Sequence, residues 1–320
     1  MNLARSVQGK LDVGRMIIMD GGTGTEIERR GVYIDPNLAW SAESNIISPD
    51  LIRDIHQDYI IAGAEIIITN TFSTSRATLA TAGLAGETEE INRQSVKLAR
   101  DARRNCGAEH SVAIAGSMSS FEPKGQPGVI PSYMAALEDY REQAILLAEA
   151  GVDLIVLEMF VRTIDIAAAV EAATQTGLPI WVGISCESYD GQLFMGLRGR
   201  HAKETIADAV RAAASTNVAA FCIMHSPPQN TAPALQELRM HTSLPIGAYA
   251  HGGYIQAKTG HEPNINSPHH VHPEKYLEYA YEWATSGAKI IGGCCGTTPE
   301  HIRVLSKSGL RDMNDLALAR

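Results

Sequence analysis

Two neighbouring cysteines, Cys294 and Cys295, lie between glycines in the segment IIGGCCGTTPEHI, residues 290–302. Adjacent cysteines do not readily form an ordinary disulfide with each other, because that bond needs Cα atoms that lie farther apart. The small flanking residues also leave both thiols little bulk to pack against, which argues against a purely structural role. The pair therefore indicates a metal site or catalytic thiols.

A third thiol, Cys222, lies near the end of the apolar run VAAFCIM, residues 218–224. Three thiolates without a fourth protein ligand are a donor set for a catalytic zinc ion with an open coordination position. Such a centre can take up another thiol, which loses its proton on coordination although a free thiol has a pKa near 8.5. The implied chemistry is alkylation of a substrate thiol.

Other roles for these cysteines are less favoured. The adjacent pair lacks the two-residue spacer of the usual redox motif. His225 stands in a C-x-x-H spacing with Cys222 and could complete a closed, structural zinc site. We expect His225 in the loop above the strand, away from such a site. The remaining cysteines, Cys106 and Cys186, are expected to be small buried hydrophobes.

The elements that must position these thiols follow from short apolar runs rich in Ile and Val, which helical segments separate. Their continuous hydrophobicity is typical of strands that are buried on both faces in a parallel sheet. The runs are MIIMD (16–20), EIIITN (65–70), VAIAGS (112–117), DLIVLE (153–158), PIWVGIS (179–185), VAAFCIM (218–224), PIGAYA (245–250) and KIIGGC (289–294).

Between these runs, residues 48–63, 87–104 and 133–151 have helical periodicity, and Gly63, Gly151 and Gly287 are expected to stop helices before strands. Alternating strands and helices without a break in composition predict an α/β fold, a single (β/α)₈ TIM barrel domain over residues 1–320. A doubly wound open sheet is the alternative, and the strand count favours the barrel.

The active site of such a barrel lies at the carboxyl ends of its strands. Cys222 belongs to the sixth predicted strand, and the cysteine pair follows the eighth. Only the seventh strand separates them in a closed barrel, so the three thiols are expected to converge. Asp20, at the end of the first strand, and Glu158, at the end of the fourth, are expected at the same rim.

Composition excludes several classes of partner. The net charge of the 320 residues is −9 without a basic stretch, which argues against nucleic acid. No apolar run approaches the roughly 18 residues of a membrane span, and the polar N-terminus lacks a signal-peptide core. We predict a cytoplasmic protein with small-molecule substrates; its oligomeric state is not fixed by the sequence, and a homo-oligomer stays open.

The combination of GGCCGTTPEHI (292–302), the upstream cysteine, DGGTGTE (20–26) and TNTF (69–72) resembles the homocysteine S-methyltransferase family. The resemblance covers nearly the whole chain, from about residue 16 to 301. It implies a zinc-dependent barrel that transfers a methyl group to homocysteine and forms methionine. It also implies that Cys222, Cys294 and Cys295 are the zinc ligands.

The resemblance further implies a substrate pocket. Glu158 would hold the amino group of homocysteine, and Asp20, Gly21 and Gly22 would meet its amino and carboxylate end, where glycine permits close approach. Thr69 would line the same pocket.

The methyl donor is expected to be a sulfonium compound, S-methylmethionine or S-adenosylmethionine. Its positive charge suits an aromatic face, and Trp40, after the first strand, is the candidate. The betaine-using branch resembles this chain less, because it tends to have a tyrosine where this chain has Ser73. A folate donor normally requires an additional barrel, for which this sequence has no room.

Some residues depart from the family pattern. Phe221 stands where the family commonly has asparagine before the strand-six cysteine, and Met159 stands where threonine often follows the glutamate. After the seventh strand the family usually has Tyr-Pro-Asn followed by glycine, whereas this chain has His251 two residues after its tyrosine. These departures motivate an alternative, a sister enzyme with another small thiol acceptor or another donor such as betaine or dimethylsulfoniopropionate. A further alternative is a non-catalytic zinc barrel that His225 closes.

The segment 250–275 is rich in histidine, with His251, His261, His269, His270 and His272. It could form a lid or bind an extra metal ion. Because its spacing matches no metal motif, we favour a polar surface loop.

Overall fold

The computed structural model describes residues 3–35, 39–120, 131–197, 200–201, 204–253 and 270–313. Eight parallel strands form one sheet, in the order β1-β11-β10-β9-β5-β4-β3-β2. They are β1 (Ile17–Ile18), β2 (Ile66–Ile68), β3 (Ala113–Ser119), β4 (Leu154–Phe160), β5 (Ile180–Ile184), β9 (Val218–Met224), β10 (Ile246–Tyr249) and β11 (Ala288–Ile291).

The two ends of this sheet meet. A parallel bridge joins Met19 to Ile66. The Glu65 amide donates to the Ile18 carbonyl at 2.7 Å, and the Asp20 amide donates to the Ile66 carbonyl at 3.0 Å. The sheet therefore closes on itself, and the predicted (β/α)₈ barrel is confirmed.

Helices surround the barrel. Within the described ranges they are α1 (Leu3–Asp12), α2 (Thr23–Arg29), α3 (Ser44–Ile47), α4 (Pro49–Ala62), α5 (Arg76–Ala80), α6 (Thr88–Asn105), α7 (Tyr133–Ala150), α8 (Thr163–Thr174), α9 (Ile206–Ala212), α10 (Pro228–Arg239), α11 (Pro273–Thr285) and α12 (Pro299–Lys307), with 3₁₀ turns at Trp40–Glu43, Ala85–Glu87 and Gly309–Asp312. None of the helices in these ranges has the length and apolar character that a bilayer-spanning segment requires.

Glycines end two of the helices as predicted. Gly63 follows α4 with φ 105° and Gly151 follows α7 with φ 95°, both in the left-handed region. This conformation costs glycine little because it has no Cβ, and it lets the chain turn directly into the next strand.

Alternation along the strands sorts side chains between the barrel interior and the helix layer. In β9, Ala220, Cys222 and Met224 belong to the interior cluster, whereas Phe221 and Ile223 belong to the outer one. This period of two is the direct consequence of the extended backbone. It decides which β9 residues can reach a site inside the barrel.

One helix and one small sheet were not anticipated. Helix α1 contributes Leu3, Val7 and Leu11 to the interior cluster, which also contains Ala113 and Leu154, the first residues of β3 and β4. The polar N-terminal segment thus covers the end of the barrel where strands begin. After β5, the chain forms a small antiparallel sheet from β6 (Cys186–Tyr189), β7 (Gln192–Leu197) and β8 (Arg200–His201).

Candidate metal and substrate site

The cysteine pair meets a histidine at the mouth of the barrel. Cys294 and Cys295 follow β11, and His225 follows β9 directly. Potential ligand atoms of these three residues all lie within 4.8 Å of one another. The His225 Nδ1 atom is 3.3 Å from the Cys294 Sγ atom, and the two sulfur atoms are 4.0 Å apart. We call His225, Cys294 and Cys295 the ligand cluster.

Backbone hydrogen bonds to the end of β10 hold the ligand cluster in place. The His225 amide donates to the Tyr249 carbonyl at 3.2 Å, and the Cys294 amide donates to the Ala250 carbonyl at 3.0 Å. His225 has φ 46°, in the left-handed region that non-glycine residues seldom adopt. Backbone strain of this kind concentrates at functional sites, where the surrounding structure maintains it.

Cys222, the predicted third ligand, is not a member of this cluster. Its side chain is fully buried inside the barrel, and its sulfur lies 2.8 Å from where a Cβ atom on Gly247 would stand. Burial raises the pKa of its thiol. The strand continues two residues beyond Cys222, so the turn at His225 reaches the mouth and Cys222 stays below it. His225 does lie just past the strand, as expected, but this position brings it to the cysteine pair instead of away from it. The metal role of Cys222 stays a prediction.

The two thiols of the cysteine pair have pKa values that are shifted in opposite directions. The Cys294 thiol and the neighbouring His225 lower the pKa of Cys295, whereas hydrogen bonding to Cys295 and burial raise the pKa of Cys294. One thiolate is therefore stabilised in the ligand cluster even before any cation is considered.

The N-terminal DGGTGTE loop interlocks with the cysteine loop. The Gly22 amide donates to the Thr297 hydroxyl at 3.2 Å, and the Gly296 amide donates to the Thr25 hydroxyl at 3.0 Å. A Cβ atom on Gly22 would lie 2.7 Å from the Cys294 carbonyl oxygen, and one on Gly21 would lie 2.8 Å from the Thr297 hydroxyl. Both predicted substrate glycines thus also let two loops approach closely.

Glu158, in β4, is 8% exposed and accepts a hydrogen bond from the Ser117 hydroxyl. Burial raises its pKa to about 7, partly opposed by the Ser117 hydrogen bond, while the charge of Cys295 raises it further. The buried Tyr249 hydroxyl faces Glu158 and also opposes the rise in its pKa, and it has no further hydrogen-bond partner among the described residues. The sequence analysis placed Ser117 and Tyr249 at strand ends but assigned neither a role.

Asp20 is buried at the end of β1. One of its carboxylate oxygens accepts the Ile68 amide at 2.7 Å, and the other has no hydrogen-bond partner in the described part of the chain. Burial raises the pKa of Asp20 well above its ordinary value, and the charge of Glu158 raises it further. Two buried carboxyl groups with spare acceptor capacity are a suitable site for an ammonium group.

Thr69 and Trp40 occupy different surroundings. The Thr69 hydroxyl lies 2.7 Å from the Thr71 hydroxyl and accepts the Ser117 amide at 3.3 Å, so it supports the strand that carries Ser117. Trp40 is half-buried, has φ 48°, and places its indole nitrogen against Gly24, where any side chain would collide with it. These contacts fix the tryptophan close to the start of α2, near the DGGTGTE loop.

The histidines of the 250–275 segment separate into groups. The ring centroids of His251 and His225 are 5.7 Å apart, and the ring of His270 contacts those of His272 and His301. His261 and His269 lie outside the described residues. The ligand cluster is the only group of at least three convergent potential metal ligands found in the described ranges.

The donor chemistry of the ligand cluster fits zinc. Thiolate and imidazole are the ligands that zinc prefers, and three of them leave a coordination position for a substrate. The set differs from the expected three thiolates in one respect, since an imidazole stands in place of a third thiolate.

The buried carboxyl group of Glu158 should destabilise the metal-free protein at high pH. Its folded-state pKa of about 7 exceeds the ordinary 4.5, so the cost is absent below pH 4.5, grows between pH 4.5 and 7, and is fully present above pH 7. Metal-free Glu158→Gln should be more stable than the original protein at pH 8 by about 3 kcal/mol, and less so at pH 5. Thermal unfolding at both pH values measures this difference in stability.

The control is the exposed Glu109→Gln, which should shift the melting temperature by at most about 1 °C. Equal stabilisation by Glu158→Gln at both pH values would contradict the raised pKa of Glu158.

Comparisons with known proteins identify the family and the fold of the chain. A model of the homocysteine S-methyltransferase family matches residues 17–308. Homocysteine S-methyltransferase 2 of Zea mays is 30% identical over 313 residues, which cover 92% of this chain and 90% of that protein. Selenocysteine methyltransferase of Astragalus bisulcatus is 29% identical over 322 residues, with 92% of each chain covered. The crystal structure of the metallated homocysteine methyltransferase MmuM from Escherichia coli superposes with a TM-score of 0.76 at 28% identity, covering 95% of this chain and 99% of that one.

Proposed function

The chain belongs to the homocysteine S-methyltransferase family, and on this basis we propose that it methylates the thiol of homocysteine with a sulfonium donor, S-methylmethionine or S-adenosylmethionine. The products are methionine and the demethylated donor, and the thiol proton is released. The observation that carries this proposal is the ligand cluster beside two buried carboxyl groups. We place the activity in one barrel domain that spans residues 1–320.

We propose that zinc is held by His225, Cys294 and Cys295. When bound, zinc supplies Lewis acidity that converts an acceptor thiol to a thiolate at neutral pH. The backbone hydrogen bonds from His225 and Cys294 to the end of β10 keep their side chains converged before a ligand arrives. Cys222 remains the alternative third ligand, and it would have to move toward the mouth to serve.

The acceptor pocket is proposed to lie between the ligand cluster and the carboxyl groups. Glu158, oriented by Ser117, and Asp20, with its unpartnered oxygen, would bind the ammonium group of homocysteine. An ammonium group stabilises the ionised carboxylates and so offsets the cost of their burial. Gly21 and Gly22 would bring the backbone close to the amino-acid end of the substrate, and Thr69 would support the pocket through the Ser117 amide.

The donor is proposed to lie against Trp40. Its indole face can attract the positive sulfonium charge, an interaction that contributes about 0.5–2 kcal/mol. That charge disappears when the methyl group leaves, so the demethylated product loses this attraction and can depart.

The experiment that tests the function supplies the reduced, zinc-loaded protein with homocysteine and four donors in parallel: S-methylmethionine, S-adenosylmethionine, betaine and dimethylsulfoniopropionate. We expect methionine formation with one of the first two donors to exceed betaine-dependent formation by more than about tenfold, because this chain has Ser73 where the betaine-using branch tends to have a tyrosine. Absence of methionine with every donor, with zinc content verified, would refute the proposal.

Selenocysteine should be tested as a second acceptor in the same assay. Two similar relatives, from Astragalus bisulcatus and Brassica oleracea, are named as methyltransferases of selenocysteine. Selenocysteine carries the same ammonium and carboxylate groups on a side chain that is shorter by one methylene. Faster methylation of selenocysteine than of homocysteine would favour a selenol acceptor in the same pocket.

A further inference from the structure

The backbone beside Glu158 is strained. Met159 has φ 58°, in the left-handed region, and the register between β4 and β5 shifts between Leu157 and Phe160. A non-glycine residue in this conformation costs about 1–2 kcal/mol, so neighbouring groups must maintain it. The bulge re-aims the side chain that precedes it, as bulges near active sites commonly do.

Side chains from other segments bind the amide and the carbonyl of Met159. The Met159 amide donates to the Met224 Sδ atom at 3.1 Å, and the Met159 carbonyl accepts the Ser120 hydroxyl at 3.2 Å. The same sulfur accepts the Ser185 hydroxyl at 3.3 Å. A thioether is ordinarily a weak acceptor, and yet this one, fully buried in the barrel interior, receives two donors.

This arrangement gives the Met159 amide a hydrogen-bond partner inside the barrel. The amide of a bulged residue leaves the regular ladder, and leaving it unpaired in the barrel interior would cost about 1–3 kcal/mol. Met224 is the last residue of β9 and belongs to the interior cluster with Tyr249. Its flexible, unbranched side chain can reach across β5 to β4, which a branched side chain could not do.

We propose that Met224 is a positioning residue for acceptor binding: its sulfur fixes the Met159 bulge and thereby aims the Glu158 carboxylate at the pocket beside the ligand cluster. The proposal rests on the proposed function, because it assigns Glu158 to the ammonium group of the acceptor. In this proposal Met224 acts on the acceptor through the backbone of β4 and not by direct contact.

The test compares three variants of the full-length zinc-loaded protein. Met224→Leu keeps the side-chain volume and removes the hydrogen-bond acceptor. Met224→Gln restores a hydrogen-bond acceptor of similar reach. Met118→Leu is the control, because Met118 is equally buried but lies in the outer cluster. The measurements are amide hydrogen exchange of Met159 in ¹⁵N-methionine-labelled protein, homocysteine affinity by calorimetry, zinc content, and kcat and KM.

Loss of one hydrogen bond predicts about fivefold faster exchange at Met159 in Met224→Leu, with homocysteine binding weakened by a similar factor. The KM for homocysteine should rise while kcat stays within about twofold, because the interaction is the same before and during transfer. Met224→Gln should recover most of both losses, and Met118→Leu should show neither.

Several outcomes would overturn the proposal. Unchanged exchange at Met159 would show that the sulfur does not hold the bulge, and unchanged homocysteine affinity with faster exchange would show that the bulge does not aim Glu158. Loss of zinc in Met224→Leu would mean that Met224 acts through the adjacent His225 instead. If the original protein binds no homocysteine at all, the proposed acceptor fails, and amide exchange alone then decides whether the sulfur holds the bulge.

Discussion

Replacing Cys294 with alanine should remove zinc and reduce methyl transfer by more than about a thousandfold. Partners that only orient a metal ligand commonly contribute 10- to 100-fold, so the loss of a ligand itself should cost more. The other members of the ligand cluster, His225 and Cys295, are already used and cannot replace it. Elemental analysis of the purified protein and chromatographic assay of methionine measure the two effects.

The matched control for this variant is Cys106→Ala. Cys106 lies at the end of α6, half-buried, with its sulfur 4.0 Å from the Gln57 carbonyl. It should retain zinc and activity. Full activity in the Cys294→Ala protein would exclude a mechanism that depends on metal activation of the acceptor.

Replacing His225 with alanine should weaken zinc binding by at least about 100-fold, whereas replacing Cys222 with alanine should leave zinc binding unchanged. The reason is geometric, since His225 lies 3.3 Å from the Cys294 sulfur and Cys222 is absent from the ligand cluster. Cys222→Ala should instead cost about 1 kcal/mol of stability through a small cavity in the barrel interior.

Cobalt substitution adds a readout that does not depend on turnover. Sulfur-to-cobalt charge-transfer absorption counts the thiolate ligands, and we expect two in the original protein and two in Cys222→Ala. A spectrum typical of three thiolates, together with loss of one on changing Cys222, would establish the ligand set that the sequence predicted. A His225→Cys variant supplies the reference spectrum for three.

Much of the fold could be predicted from local patterns. The run VAAFCIM coincides with β9, and DLIVLE contains the first five residues of β4. Gly63 and Gly151 end their helices as expected. Continuous apolar runs and glycine stops reflect contacts and dihedral preferences within a few residues, so the chain sequence carries them directly. The elements that were missed are α1, which precedes the first apolar run, and β6–β8, which are short.

Candidate site residues could also be predicted from the sequence, because the active site of a barrel lies at the carboxyl ends of its strands. The end of each apolar run therefore marks a candidate position. Counting along the runs placed Asp20, Glu158 and the cysteine pair at one rim, and the structure brings them there. The roles proposed for them come from the family and from their charges.

The sequence by itself therefore determined the barrel, the family and the rim that carries the site. Tertiary structure alone decided that His225 joins Cys294 and Cys295 while Cys222 stays below, since a left-handed turn one residue past β9 sets which side chain reaches the mouth. It also brought Ser117, Tyr249 and Met224 around the Glu158 region from three separate strands. Such convergence depends on how the strands are staggered around the closed barrel, a property of the whole sheet that no local stretch of sequence contains.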